Sequence, residues 1–169
     1  MKKAIVIILL ATLAVTACGR TDASPIGVQQ TEVADEVSIK LVSEDDGAFN
    51  FYLGAKSNFN VAVKNIGTEP CHVFIKMTMP AAEGADVYDY QISDAWDEIE
   101  PEVFYGGILE PGQTTTELLK EIRVHDYGEV SQERLEAIGD AARGFRVQGR
   151  AIMPMEHGTP EQLWKMIRN

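Results

Sequence analysis

The sequence predicts an all-β fold, an antiparallel β-sandwich with two short helices, from three observations. Apolar and polar side chains alternate with a period of two in several short segments, which is the pattern of half-buried strands. Glycine, proline and asparagine residues that favour turns separate these segments. The two segments with helix signals do not alternate regularly with the strands, as helices do in a parallel α/β sheet, and this favours the antiparallel sandwich.

The predicted strands follow one another in short steps along the chain. They cover residues 37–41, 59–64, 71–79, 103–109, 115–124 and 145–151. Asn65, Gly67 and Pro70 lie between the second and third strands, so we expect these two strands to form a hairpin. Pro111 and Gly112 lie between the fourth and fifth strands and match the two central positions of a type II turn.

Each predicted helix begins at a capping residue. Ser131 precedes the first helix, over residues 132–138. Thr159 precedes the second, with Pro160 at its first position and Gln162 three residues after the cap, which is the pattern of a capping box. The apolar residues of the second helix share one face, and we expect this helix to close one end or edge of the sandwich.

Size and charge restrict the class of protein. The chain of 169 residues carries 26 acidic and 15 basic side chains, a formal charge of −11 at pH 7. Binding to nucleic acid normally begins with a basic patch that displaces counterions from phosphates, so we expect no nucleic-acid partner. A chain of this length buries roughly two-thirds of its unfolded surface, which is sufficient for one packed domain.

The first eighteen residues have the pattern of an export signal. Lys2 and Lys3 precede an apolar run over 4–17, which is shorter than the ~20 residues that a membrane-spanning helix needs. The run ends in small residues followed by Cys18, a pattern that resembles the lipobox of bacterial lipoproteins. There, cleavage leaves the cysteine as the first mature residue and its thiol carries the diacylglyceryl anchor. The alternative is an ordinary secretory signal with a chance cysteine near the cut.

Cleavage before Cys18 divides the chain into three parts: a signal peptide (1–17), a lipidated cysteine with a flexible tether (18–36), and the β-sandwich domain (37–169). The tether is rich in small and polar residues and cannot bury enough apolar surface to become ordered. We therefore expect an exported protein held to the outer face of a bacterial membrane by its N-terminal lipid. Cys71 is then the remaining thiol, expected to be buried; an intermolecular disulfide or a reactive thiol is the alternative.

Four stretches of the sequence, taken in order, carry a family resemblance. They are 37–42, 61–73 with its Asn65-Ile66-Gly67 turn, 104–115 with Pro111-Gly112, and 159–164. In their order and spacing they resemble the TasA/camelysin-type family of secreted Gram-positive surface and biofilm-matrix proteins. The resemblance implies a jelly-roll-like sandwich.

For fibre-forming members of that family, the resemblance also implies assembly by strand donation, in which an N-terminal segment of one subunit completes the sheet of the next. The donor here would lie within 26–42, with apolar positions at Ile26, Val28, Val33, Val37, Ile39 and Leu41. We favour the alternative that 37–42 pairs within its own domain. A lipid on Cys18 fixes the N-terminus, and this suits an anchor, assembly base or accessory subunit better than free fibre polymerisation.

The sequence offers little support for catalysis. Camelysin-like members are classed as metallopeptidases, but His72, His125 and His157 lie far apart in the sequence and none forms the H-E-x-x-H pair of zinc enzymes. The sequence contains no G-x-S-x-G elbow, P-loop or Rossmann glycine pattern. We therefore predict a non-enzymatic protein without a cofactor, apart from the calcium alternative described next.

An acidic segment separates Lys76 from Lys120. It contains ten acidic residues and no Lys or Arg, and the usual explanation is a solvated acidic loop. The alternative is a weak extracellular calcium site, for which Asp94, Asp97 and Glu98 are the candidate ligands. Large aromatic residues interleave with these acids; we expect Trp96 and Phe104 to lie in the core rather than on a glycan-binding surface.

Together these features predict a lipid-anchored β-sandwich that is a structural or assembly module of the cell surface or biofilm matrix. Its expected partners are the membrane, through the lipid, and a second copy or a matrix protein, through strand addition. Two alternatives stay open: a camelysin-like surface metallopeptidase, and an anchored module that binds a ligand or partner at the acidic segment.

Overall fold

The computed structural model describes residues 27–29, 37–43, 53–57, 59–82, 85–155 and 157–168. In chain order the strands are β1 (Gly27–Gln29), β2 (Ile39–Val42), β3 (Lys56–Ser57), β4 (Ala62–Asn65), β5 (Cys71–Thr78), β6 (Ala81–Ala82), β7 (Ala85–Asp86), β8 (Tyr88–Ile92), β9 (Asp97–Glu100), β10 (Val103–Leu109), β11 (Leu119–Val124) and β12 (Arg146–Ile152). Helix α1 (Gln132–Ala142) lies between β11 and β12, and α2 (Pro160–Ile167) follows β12.

The strands form two layers around one main core. The larger sheet has the order β1-β12-β5-β10-β9; the others are β3-β11-β8 and the pairs β2-β4 and β6-β7. Every described strand pair is antiparallel except β1 with β12, which is parallel. Side chains from both layers meet in a continuous apolar cluster. The predicted antiparallel β-fold with two short helices is confirmed.

Strand β5 is the centre of the larger sheet, and its alternating sequence matches its two faces. The side chains that point into the core are completely buried: Cys71, Val73, Ile75 and Met77. On the opposite face Lys76 and Thr78 are exposed, whereas Phe74 is buried. Successive residues of a strand point to opposite faces, so one strand supplies both the central core and an outer apolar patch.

The connection after β4 differs from the predicted hairpin. β4 pairs with β2, whereas β5 pairs with β10 and β12, so residues 66–70 cross between the layers. Residues 110–118 also cross, from β10 to β11. The Pro111-Gly112 turn is as predicted: Gly112 has a φ of 81°, and Gln113 N donates to Glu110 O at 3.0 Å. Turn residues fix the reversal of the chain but not the sheet that the next strand joins.

The helices begin at the predicted caps. Ser131 Oγ accepts a hydrogen bond from Arg134 N at 3.2 Å, and Thr159 N donates to Gln162 Oε1 at 3.0 Å. The position of α2 differs from the prediction, because this helix covers a face of the larger sheet and not an end or edge of the sandwich. Its buried residues pack on the outer apolar patch of that sheet in a second cluster: Phe74, Val103, Leu163 and Trp164.

The acidic segment is not the solvated loop that the charges predict. Strands β8, β9 and β10 lie within it, and Trp96 and Phe104 are buried as expected. The acidic side chains Asp97 and Glu98 are exposed in β9 at the edge of the larger sheet. A strand accommodates such charges because an edge or an outer face leaves them in water.

Candidate functional site

The anchor and its tether lie mostly outside the described residues. Cys18, Ile26 and Val33 are among the positions of which the structure says nothing. No helix in the described ranges is long and apolar enough to span a membrane. The lipid anchor therefore stays a prediction from the sequence.

The structure divides the candidate donor segment into two parts. Val28 lies in β1, which pairs with β12 in the register Val28↔Val147 and ends the larger sheet. Val37, Ile39 and Leu41 are buried in the main core. The second part is thus integral to this domain, while the first adds one short parallel strand at a sheet edge.

Strand β2 fits closely against β12. A Cβ atom placed on Gly149 would lie 2.9 Å from Leu41 Cδ2 and 3.1 Å from Ile39 Cδ1. The absence of a side chain at Gly149 therefore lets these two residues reach the sheet backbone. β2 also pairs with β4 over four residues, Ile39↔Asn65 to Val42↔Ala62. Donation of β2 to another subunit would require opening the core.

The three candidate calcium ligands do not share one face. Asp94 is paired with Lys120, with Oδ2 and Nζ 2.7 Å apart. Asp97 and Glu98 are consecutive in β9, opposite Tyr105 and Phe104 respectively. Consecutive residues of a strand point to opposite faces, so the structure does not bring these two carboxylates together.

The histidines occupy three different places. His72 lies on the outer face of β5, where its Nδ1 is 2.7 Å from Tyr105 Oη. His125 follows β11 in the three-stranded sheet β3-β11-β8, here called the smaller sheet. His157 lies between β12 and α2. Among the residues that the structure describes, no three His, Cys, Asp or Glu side chains are grouped to hold a metal ion.

A charged cluster on the smaller sheet joins residues that the sequence analysis did not connect. Asp89 Oδ1 accepts a hydrogen bond from His125 Nδ1 at 2.9 Å, and its Oδ2 accepts one from Arg123 Nε at 3.1 Å. The His125 ring also packs edge-on against Tyr127, with 4.8 Å between ring centroids. Asp89 and Arg123 line an open groove on this surface. The contacts with Asp89 and Tyr127 orient the imidazole.

The pairing of β8 with β11 creates this cluster. Arg123 lies directly opposite Asp89, and Val124 lies opposite Tyr88. The sequence signal was the alternation Tyr88-Asp89-Tyr90-Gln91-Ile92, which is typical of a strand. The pairing itself has no local signal, so the cluster could not be found from spacing.

The pH dependence of the free energy of unfolding, compared between wild type and Asp89→Asn, tests the cluster. The hydrogen bond from His125, aided by Arg123, lowers the pKa of Asp89. A carboxyl with a lowered folded pKa stabilises the fold above its unfolded pKa, and this contribution is lost as the pH falls through the folded value. Because the side chain is 36% exposed, we expect Asp89→Asn to cost about 0.5–1 kcal/mol near neutral pH.

Urea unfolding of wild type and Asp89→Asn across the acid range measures this difference, which should disappear at the lowest pH. Asp94→Asn is the matched control, because its carboxyl is 93% exposed and its pair with Lys120 should contribute almost nothing. A difference for Asp89→Asn that stays constant with pH contradicts the assignment.

The thiol of Cys71 is buried in the core, as predicted for a small apolar side chain. Burial raises the pKa of Cys71 to about 11, because the thiolate loses its hydration. A protonated, covered thiol is a poor nucleophile. The native domain should therefore resist modification at Cys71.

No protein-family model, curated protein or solved structure matches this chain.

Proposed function

We propose that the protein is a lipid-anchored extracytoplasmic module that acts by contact, through addition of a strand at the β12 edge of its larger sheet. The position of β1 carries this proposal. Gly27–Gln29 lies within the segment 18–36 that the sequence predicts to be a flexible tether, yet it forms a strand that ends the larger sheet beside β12. The same register can be occupied by β1 of its own chain, by β1 of a second copy, or by a matrix-protein strand.

The packing of β2 limits which part of the N-terminus exchanges. Removing Ile39 and Leu41 from their own domain uncovers the core, at about 1.5–3 kcal/mol for each buried side chain. β1 contributes only three residues to a sheet edge, whereas β2 pairs with β4 over four residues. The exchanging strand we propose is therefore β1, with β2 fixed in its own subunit.

Lipid attachment is tested by metabolic labelling with a fatty-acid probe in a bacterial host. The wild-type chain should take up the label, Cys18→Ser should not, and Cys71→Ala should keep it, because Cys71 is buried in the folded domain. An unlabelled wild-type chain refutes the anchor.

Strand addition is tested by disulfide trapping between two differently tagged chains. Gln29 and Gln148 are directly opposite in the β1–β12 register, a spacing that a disulfide can bridge. One chain carries Gln29→Cys and the other Gln148→Cys; strand exchange gives a product that bears both tags. Gln29→Cys with Glu133→Cys, on the exposed side of α1, is the control.

A chain that carries both Gln29→Cys and Gln148→Cys shows whether β1 pairs with β12 of its own subunit. If this chain forms its disulfide internally while mixed chains give no more two-tag product than the control at every concentration, β1 stays in its own subunit and self-assembly is refuted.

A further inference from the structure

The connection between β12 and α2 exposes two methionines and a histidine at alternating positions. The segment runs Met153-Pro154-Met155-Glu156-His157. Met153 is 42% and Met155 46% exposed, and His157 is also exposed. Leaving such side chains in water forgoes the gain from burying them. No hydrogen bond or ion pair of the described residues engages His157, so two thioethers and an imidazole are exposed within five residues of the chain.

The segment is held at both ends. Ile152, the last residue of β12, is paired with His72 of the central strand. At the other end, the hydrogen bond between Thr159 and Gln162 fixes the start of α2. Pro154 restricts its own φ and keeps Met153 in extended backbone. The donors are therefore presented on a short connection between two packed elements.

The local geometry suits a shared ligand. In extended chain, alternate Cα atoms are about 7 Å apart. Methionine has three rotatable side-chain bonds, so two sulfurs at this spacing can approach one ion. The backbone bends at His157, so the chain changes direction there before α2 begins. The imidazole of His157, two positions after Met155, supplies a third donor.

The chemistry of these donors selects the ion. Thioethers are soft ligands that favour Cu(I), imidazole also suits copper, and hard ions such as calcium or magnesium prefer oxygen. We propose that Met153, Met155 and His157 bind one Cu(I) ion. The site is independent of lipid attachment and of strand addition, and lies at the opposite end of β12 from Arg146, where β1 begins its pairing.

The test is an anaerobic titration with Cu(I) against a coloured chelator. It uses the full chain in detergent micelles with Cys18→Ser, so that the remaining thiol is the buried Cys71. We expect one Cu(I) to be withdrawn from the chelator per chain. Met153→Leu with Met155→Leu keeps the volume but removes both sulfurs, and should weaken binding at least about tenfold, since even outer-shell changes at metal sites cost about 10–100-fold.

The matched control is Met166→Leu. Met166 is more exposed than either proposed ligand, at 58%, but lies in α2 outside the segment, and its replacement should leave the affinity unchanged. His157→Gln should also weaken binding, because it removes the imidazole donor. Failure to withdraw Cu(I), unchanged binding in the double leucine variant, or an equal loss in Met166→Leu overturns the proposal.

Discussion

Replacing Asn65 by alanine is expected to lower the free energy of unfolding by about 3 kcal/mol. Asn65 is a completely buried polar residue. Its Nδ2 donates to Glu69 O at 2.9 Å and to Leu109 O at 3.0 Å, while its Oδ1 accepts from Gly67 N at 2.9 Å. Alanine removes all three bonds and leaves their backbone partners without the amide, each at about 1–3 kcal/mol if no water replaces it.

The expected cost is large because Asn65 ties together both connections between the layers. Its backbone N donates to Gln113 O, and its backbone O accepts from Gly112 N, each at 2.9 Å. The side chain meanwhile holds the turn before β5 and the end of β10. Loss of the amide therefore weakens the connections 66–70 and 110–118 where they contact each other.

Urea unfolding monitored by circular dichroism measures the effect. Ile66→Ala is the matched control, since its side chain is 48% exposed and should change stability little. Asn65→Asp retains the acceptor, loses the donors and buries a carboxylate, so it should be at least as damaging at neutral pH. A cost below about 1 kcal/mol for Asn65→Ala contradicts the role assigned to the amide.

The same residue shows how far the sequence could predict this fold. The alternation in β4 and β5 and the turn residues between them are local signals, and both strands were predicted from them. The partner of each strand depends on contacts distant in sequence, such as Asn65 with Leu109. The local signals favour a hairpin between β4 and β5. The buried amide of Asn65 instead stabilises a connection that crosses between the two layers.

The acidic segment shows a different limit. Tyr88, Tyr90 and Ile92 alternate with polar residues, so the signal for β8 was present, but the run of acidic charge indicated a loop. Charge reports where a side chain meets water and not whether its backbone is paired. Once β8 is placed beside β11, the contact of Asp89 with His125 follows from register. Without that register, the sequence does not mark Asp89 or His125 as a candidate site residue.

Replacing Gly106 by valine is expected to cost about 2–3 kcal/mol by overpacking. A Cβ atom at Gly106 would lie 2.6 Å from Trp96 Cζ3 and 2.7 Å from Trp96 Cη2. The indole is 5% exposed and its Nε1 donates to Thr116 O at 3.1 Å, so it cannot move without losing burial and a hydrogen bond. Gly106 lies where the pairing of β10 with β5 shifts register, between Tyr105 and Ile108.

A double-mutant cycle with Trp96→Leu separates this clash from any backbone effect of valine. If the indole is the obstacle, Gly106→Val should cost clearly less when Trp96 is already leucine, because the smaller side chain leaves room for the new methyl groups. In a Trp164→Phe background, where Trp96 is the remaining tryptophan, Gly106→Val should also shift the fluorescence to the red as the indole meets water. An equal cost in both backgrounds, with unchanged emission, would mean that valine acts through the backbone of the β10 irregularity and that the contact with Trp96 does not determine the choice of glycine.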